Sequence, residues 1–297
     1  MTRISFAIDA LIGLLLCCAA AVESDAQTPA KSNAQLKQPV HRVAKGVDQQ
    51  AVKAKQNAHP LDPCLRMALA AWEHSVKNIR DYSTNLVKRE RYKGKLQDPE
   101  KMFMKVRNRK EKNGQIVVPY GIYIGYQEPS HKKGQEAIWV QGANDDKILA
   151  HGTGLQGLFM VRLTPEGRLA TTGTNYTIRD SGIEELINKL VTRAQRERQY
   201  PPAESKVQFY RNAKINGRAC TLVEVTHPKR DYYDFHIARI FIDDEYKIPV
   251  RFASWLWPEK EGAAPPLLEE FTYYNLKINV GLTNRDFDPQ NPAYDYP

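Results

Sequence analysis

Apolar residues follow several distinct patterns along this chain, and each predicts a different kind of element. Residues 10–22 form an unbroken apolar or small-residue run behind Arg3. Its length suits the core of an export leader and falls short of the roughly 20 residues that a membrane-crossing helix needs. Ser24-Asp25-Ala26 supplies small residues where a leader peptidase reads, so a leader over 1–26 with cleavage near Ala26 is expected. An uncleaved anchor, or a lipoprotein modified at Cys17 or Cys18, is the alternative. Residues 27–58 contain no Phe, Tyr or Trp and carry six Lys or Arg against one acid, Asp48. Such a segment buries too little apolar surface to offset its chain entropy. It reads as a basic disordered linker, or as a basic arm for an anionic surface.

From residue 59 the pattern is that of a folded body. Leu65, Leu69, Trp72, Val76 and Ile79 recur at three- and four-residue steps behind Asp62-Pro63, a capping side chain followed by a first-turn proline. The period then falls to two. Met102, Met104 and Val106 alternate with Lys101, Phe103, Lys105 and Arg107. Tyr120, Ile122, Ile124 and Tyr126 alternate with Gly121, Tyr123 and Gly125. Short apolar runs at 137–140 and 147–151 extend this series, with Asn113-Gly114 as a hairpin turn.

Ile183, Leu186, Ile187, Leu190, Val191 and Ala194 restore the helical period. Ser181 and Glu184 have capping-box spacing, Arg193, Arg196 and Arg198 suit the C-terminal end, and Pro201-Pro202 stops the helix. Strands return at 207–210 and 220–225 around Asn216-Gly217, at 235–242 and 250–257 around Asp243-Asp244-Glu245, and at 268–278. The order helix, strands, helix, strands predicts an α+β body on a long antiparallel sheet, with 59–297 as one domain.

Composition narrows the function classes. The 297 residues carry 43 Lys plus Arg against 34 Asp plus Glu, a formal charge of +9, and 42% are hydrophobic, which is ordinary for a globular protein. Four cysteines are too few for a disulfide scaffold. Removal of a leader would leave Cys64 and Cys220, either a disulfide pair or two independent buried thiols.

Gly152-Thr153-Gly154-Leu155-Gln156-Gly157 matches a dinucleotide-binding spacing but lacks the long helix that would receive a pyrophosphate, so it reads as a loop between strands. No nucleophile elbow, phosphate-binding loop or His-Glu-x-x-His occurs, so no catalytic residue, cofactor or metal is assigned. His227 and His236 flank a turn without an evident third ligand. Glu269-Glu270 places one carboxylate on each sheet face, and an inward Glu270 would need Arg239 or Arg251. The basic run 88–95 reads as a solvated strand end and hairpin, not a nucleic-acid patch, and no nucleic-acid partner is expected of an exported chain.

Several stretches carry a resemblance. IRDYSTNLV at 79–87 with the following KRERYKGKLQDPEKMFMKVR, EAIWVQGANDDKILAHGTG at 136–154, NGRACTLVEVTHP at 216–228, FHIARIFIDDEYKIPVRF at 235–252 and the run 267–294 resemble the bacterial family called domain of unknown function 1571. That family is similar in turn to LolA/LolB-type lipoprotein carriers. The resemblance implies a curved antiparallel sheet, an unclosed half-barrel with helices on its concave face. It carries over no activity.

On that architecture, Met102, Met104, Val106, Tyr120, Ile122, Ile124 and Tyr126 are the candidate lining of an interior cavity. Three functions compete. The first is a periplasmic or secreted carrier or sensor for an acyl chain, lipid or lipoprotein. The second is a non-catalytic module for anionic lipid or polysaccharide surfaces. The third, an envelope hydrolase, has only scattered His, Asp and Glu behind it.

Overall fold

The computed structural model describes residues 40–41 and 59–297. The expected leader, and the linker apart from 40–41, lie outside the described residues.

Helix α1 (Asp62–Asn78) opens the body. Pro63 stands in its first turn as expected, but Asp62 is the first helical residue rather than its cap. The Asp62 carboxylate accepts from His59 N at 3.1 Å and pairs with Arg198 at 2.5 Å. The buried stripe also departs from expectation: Leu65, Ala71 and Ser75 are buried, whereas Leu69 and Val76 are exposed. The cause is the partner. α1 packs chiefly on helix α3 (Ile183–Glu197), and small residues at the contact let the two helices approach.

The strands are β1 (Val40–His41), β2 (Asp81–Tyr92), β3 (Lys95–Leu96), β4 (Glu100–Arg107), β5 (Lys110–Lys112), β6 (Gln115–Val118), β7 (Gly121–Glu128), β8 (Glu136–Val140), β9 (Ile148–His151) and β10 (Val161–Leu163). After a short helix, α2 (Arg168–Thr171), and α3 come β11 (Lys206–Ile215), β12 (Arg218–Thr226), β13 (Ile237–Asp243), β14 (Pro249–Trp255) and β15 (Leu267–Ile278). One sheet runs β1-β11-β12-β13-β14-β15-β2-β4-β7-β8-β9-β10 with β3 appended to β2, and β5 and β6 form a separate hairpin. Every pairing is antiparallel. The end strands β1 and β10 do not pair with each other, so the sheet is an unclosed half-barrel, with α1 and α3 on its concave face.

The alternation of β4 and β7 sorts their side chains as the sequence predicts. Met102, Met104, Val106, Ile122 and Ile124 join the main core under the helices. Tyr123 faces the other way, into a second cluster with Ile138, Leu149, Phe287 and Tyr294. The C-terminal segment thus covers part of the convex face. Tyr123 and Tyr294 stack at 4.1 Å, and a Cβ on Gly121 would stand 3.3 Å from the Phe287 ring.

β2 is the longest element left unassigned by periodicity, apart from its end at 88–92. Its start, Asp81-Tyr82-Ser83-Thr84-Asn85, is polar enough to hide the alternation. Yet Tyr82, Thr84 and Leu86 are buried on one face, and the Thr84 hydroxyl donates to the Tyr274 carbonyl at 3.0 Å. β2 pairs with β15 on one side and β4 on the other, with Leu86 opposite both Tyr273 and Met102.

The start of α3 also corrects an expectation. Ser181 does not cap it; Gly182 holds the cap position at φ +110°. Tyr120 Oη donates to the Ser181 carbonyl at 2.5 Å, and Ile183 N donates to Tyr82 Oη at 2.7 Å. Glu184 instead accepts from Ser75 on α1 at 3.1 Å, tying the helices together.

Candidate functional site

Between α3 and the concave face lies a part-open pocket of about 260 Å³. Leu86, Met102, Ile124, Ala137, Phe252 and Tyr273 supply its sheet wall. Leu186 and Leu190, four residues apart on α3, supply its roof, and Leu163, Leu169 and Ala170 form one rim.

Three of the seven residues singled out in the sequence, Met102, Ile124 and Tyr126, line this pocket. Met104, Val106 and Ile122 have no exposed surface and Tyr120 is buried; these four belong to the filled core. Alternation fixes which face a side chain takes, not how far along the strand the helix start plugs the space. Here the plug is the junction at Gly182, pinned by Tyr82 and Tyr120.

The opposite rim is charged. Lys88, at the inward-facing end of β2, pairs with Glu90 at 2.9 Å and Glu100 at 3.3 Å, and donates to Thr174 Oγ1 at 3.2 Å. Glu90 also accepts from Thr174 Oγ1 at 2.7 Å and Asn175 N at 2.9 Å. This corrects the reading of 88–95 as solvated: Lys88 and Glu90 share the inward parity of Leu86. Burial pulls the Lys88 ammonium down, but Tyr126, Glu100 and Glu90 outweigh it and hold the charge. Burial likewise opposes ionisation of Glu90, and Lys88 with the Asn175 and Thr174 hydrogen bonds outweighs it.

Beside this network, Tyr176 Oη donates to the buried Glu269 carboxylate. Burial raises the Glu269 carboxyl against the pull of Tyr176 and Arg193. It is thus Glu269 that faces inward; Glu270 lies on the opposite face, where it is also buried and pairs with Arg251 at 2.8 Å. The pocket is therefore an apolar bed with a fixed polar edge, the form of most small-molecule sites.

A second pocket of about 70 Å³ lies between α1, α3 and β12–β14, and shares Leu190, Arg193 and Phe252 with the first. Cys64 lines it, while Cys220 is buried on β12 opposite Ala213 and Asp243. The candidate disulfide is not formed. Both thiols are free, and burial raises each to about 12.

Two histidine clusters bear on catalysis. His227 Nδ1 meets Ser205 Oγ at 3.3 Å and its Nε2 meets Glu197 at 3.2 Å, a Ser-His-Glu line that sequence spacing did not suggest. All three residues are buried, and Tyr233 stacks on the imidazole at 4.0 Å. Neither pocket touches Ser205 or His227. His236 meets His227 only through backbone, its Nδ1 lying 2.8 Å from the His227 carbonyl. His151 pairs with Glu136 at 2.9 Å beneath Tyr296, with no hydroxyl or thiol on either ring nitrogen among the described residues. Among the described residues no three His, Cys, Asp or Glu side chains converge as a metal site, and no helix is long and apolar enough to cross a membrane.

Comparison with known proteins gives a family match. The model described as "Protein of unknown function (DUF1571)" matches residues 79–296. No curated protein matches. Among solved structures the chain is similar to a DUF1329 family protein from Desulfovibrio piger, at 12% identity and TM-score 0.37, covering 78% of this chain and 98% of that one. It is similar to a putative outer membrane lipoprotein-sorting protein domain from Vibrio parahaemolyticus, at 13% identity and TM-score 0.35, covering 75% and 95%. It is also similar to the MucA/MucB complex structure from Pseudomonas aeruginosa, at 11% identity and TM-score 0.41, covering 76% and 60%.

Proposed function

The chain belongs to the DUF1571 family, whose function is unknown, and from that premise we propose a non-catalytic, exported envelope protein that binds an acyl chain or similar apolar group in the α3 pocket. The observation that carries this reading is the 260 Å³ space left between α3 and the concave face. An apolar cavity of about 150 Å³ already takes up benzene, so this one admits a longer apolar group. Each buried CH₂ contributes about 0.8 kcal/mol, and eight of them about 6 kcal/mol before ordering costs. The charged rim suits the polar end of such a molecule, because Lys88, Lys189 and Arg193 border the pocket together with Asp180 and Glu269. Export rests on the apolar run 10–22 and on the small residues Ser24 and Ala26.

Native mass spectrometry of protein from its own host is expected to find a lipid-sized adduct. A137F, which projects a ring into the pocket, is expected to remove it. A clean apo mass that does not respond to added fatty acid or phospholipid sinks the proposal. A second reading, adhesion to anionic surfaces, is supported by the charge of +9 and the basic linker. It predicts binding that weakens steeply with salt and on deletion of 27–58.

A further inference from the structure

The segment running from β9 into α2 carries an exposed apolar stretch of which the pocket uses only one end. Leu155, Leu158, Phe159, Met160, Val161 and Leu169 are all exposed; Leu155 is 80%, Phe159 70% and Leu158 60% exposed. Single surface leucines are commonplace, but six large apolar side chains between residues 155 and 169 form a patch. The patch runs into the pocket, since Leu169 belongs to both and Leu163 and Ala170 continue the rim.

Its surroundings are positive. Arg162 and Arg168 are exposed within the segment, and Lys133 is exposed on the turn beside it, where Gly134 stands against Thr153. None of these three cations has an acidic partner among the described residues. The one acid of the segment, Glu166, is held by Arg179 at 2.5 Å.

We infer that residues 155–169 are a lip that inserts into the interface of an anionic lipid bilayer. A stable protein partner needs a shape-matched surface of about 800 Å² on each side. Here the patch is carried by a short helical turn and an edge strand with no groove between them, a form that a fluid acyl layer accommodates without a complementary surface. The flanking arginines and Lys133 would meet anionic head groups while Leu155, Leu158 and Phe159 enter the acyl boundary. Insertion would set the pocket rim at the depth of the acyl chains, so a chain could pass between bilayer and pocket without crossing water. Insertion itself does not require the pocket to hold a ligand, so the inference goes beyond the function proposed above.

The test uses the full chain and vesicles of phosphatidylcholine with or without phosphatidylglycerol. F159W adds a fifth tryptophan to the four already present, and the difference between its emission and that of wild type is expected to shift blue on anionic vesicles and to be quenched by brominated lipid. L155S/F159S is expected to weaken partitioning by about tenfold or more. R162E/R168E is expected to remove the preference for the anionic lipid, and V117S on β6 is expected to change nothing. A reporter that stays accessible to iodide with vesicles present, or a double variant that partitions like wild type, overturns the inference. So does protection that appears without vesicles as the mass doubles, which would make the patch a contact between copies. A137F separates the two proposals: it is expected to block ligand uptake and leave insertion intact. Insertion without uptake in the wild type would remove the pocket proposal alone, and uptake without insertion would remove the lip alone.

Discussion

Replacing Gly182 with alanine tests how α3 is hung over the sheet. The residue sits at φ +110°, which costs a non-glycine residue about 1–3 kcal/mol. The new Cβ would stand 2.5 Å from Tyr120 Oη and 3.0 Å from Tyr82 Oη. Neither ring can swing aside freely, because both are buried in the main core. Each hydroxyl is also committed, one to the Ser181 carbonyl and one to Ile183 N. Displacing either leaves a buried polar group unpaired, at about 1–3 kcal/mol each. The expected loss for G182A is therefore about 3–6 kcal/mol. Urea unfolding should show it as a lower midpoint at an unchanged slope. G281A is the control: it shares a positive φ of +80° but a Cβ there meets nothing within 4 Å, so only the backbone cost should remain. Y120F removes the nearest clashing atom, so G182A/Y120F should lose less than the sum of its parts. A loss below about 1 kcal/mol for G182A, or strict additivity with Y120F, would refute the plug at this junction.

Burial raises the Glu184 carboxyl to about 7 from an ordinary 4.5. The folded state thus holds that proton more tightly than the unfolded chain, and stability from this group falls as pH rises from 4.5 towards 7, by on the order of 2–3 kcal/mol. E184Q should flatten that stretch of the stability–pH curve and be the more stable protein at pH 8, with Ser75 still donating to its amide oxygen; a slope identical to wild type would show that the carboxyl is not perturbed. K88M leaves Glu90 buried beside Thr174 and Asn175 without its cation, and should cost about 3 kcal/mol in chemical unfolding; a neutral result would mean that the rim is solvated after all. Peptide mapping after iodoacetamide at pH 8 should find Cys64 and Cys220 unmodified in the native protein, and both labelled in guanidinium without reductant. Failure to label the unfolded chain until reductant is added would mean that the two are paired.

Much of this architecture is legible in the residues alone, and the gaps have identifiable causes. Positive-φ turns at Asn113-Gly114 and Asn216-Gly217 sit where the sequence predicts hairpins, because few other residues tolerate that backbone. The parity of Met102/Met104/Val106 assigns the right face, and Glu269 and Glu270 diverge as their adjacency requires. β2 escapes because Thr84 is buried through hydrogen bonds that a hydrophobicity pattern cannot show. Its continuation through Leu86, Lys88 and Glu90 keeps the same parity, and that signal could have placed the ion pair in the pocket rather than in water. The rim over 163–182 has no period at all: its Thr174, Asn175 and Tyr176 are set by the buried carboxylates they satisfy. The Ser205–His227–Glu197 line joins residues from a helix end, a turn and a strand end, a proximity that only the folded chain provides.

The seam between β2 and β15 has a consequence for how such a molecule is made. Leu86 lies opposite Tyr273, so neighbours in the middle of the sheet are separated by most of the polypeptide. Neither half of the sheet can finish its central border until the last long strand has emerged. Contacts of such long range slow folding, and unsatisfied strand borders invite mispairing while they wait. A chain threaded outward from its N-terminus would thus depend on an escort, or on rapid delivery of its final third, to reach the native topology.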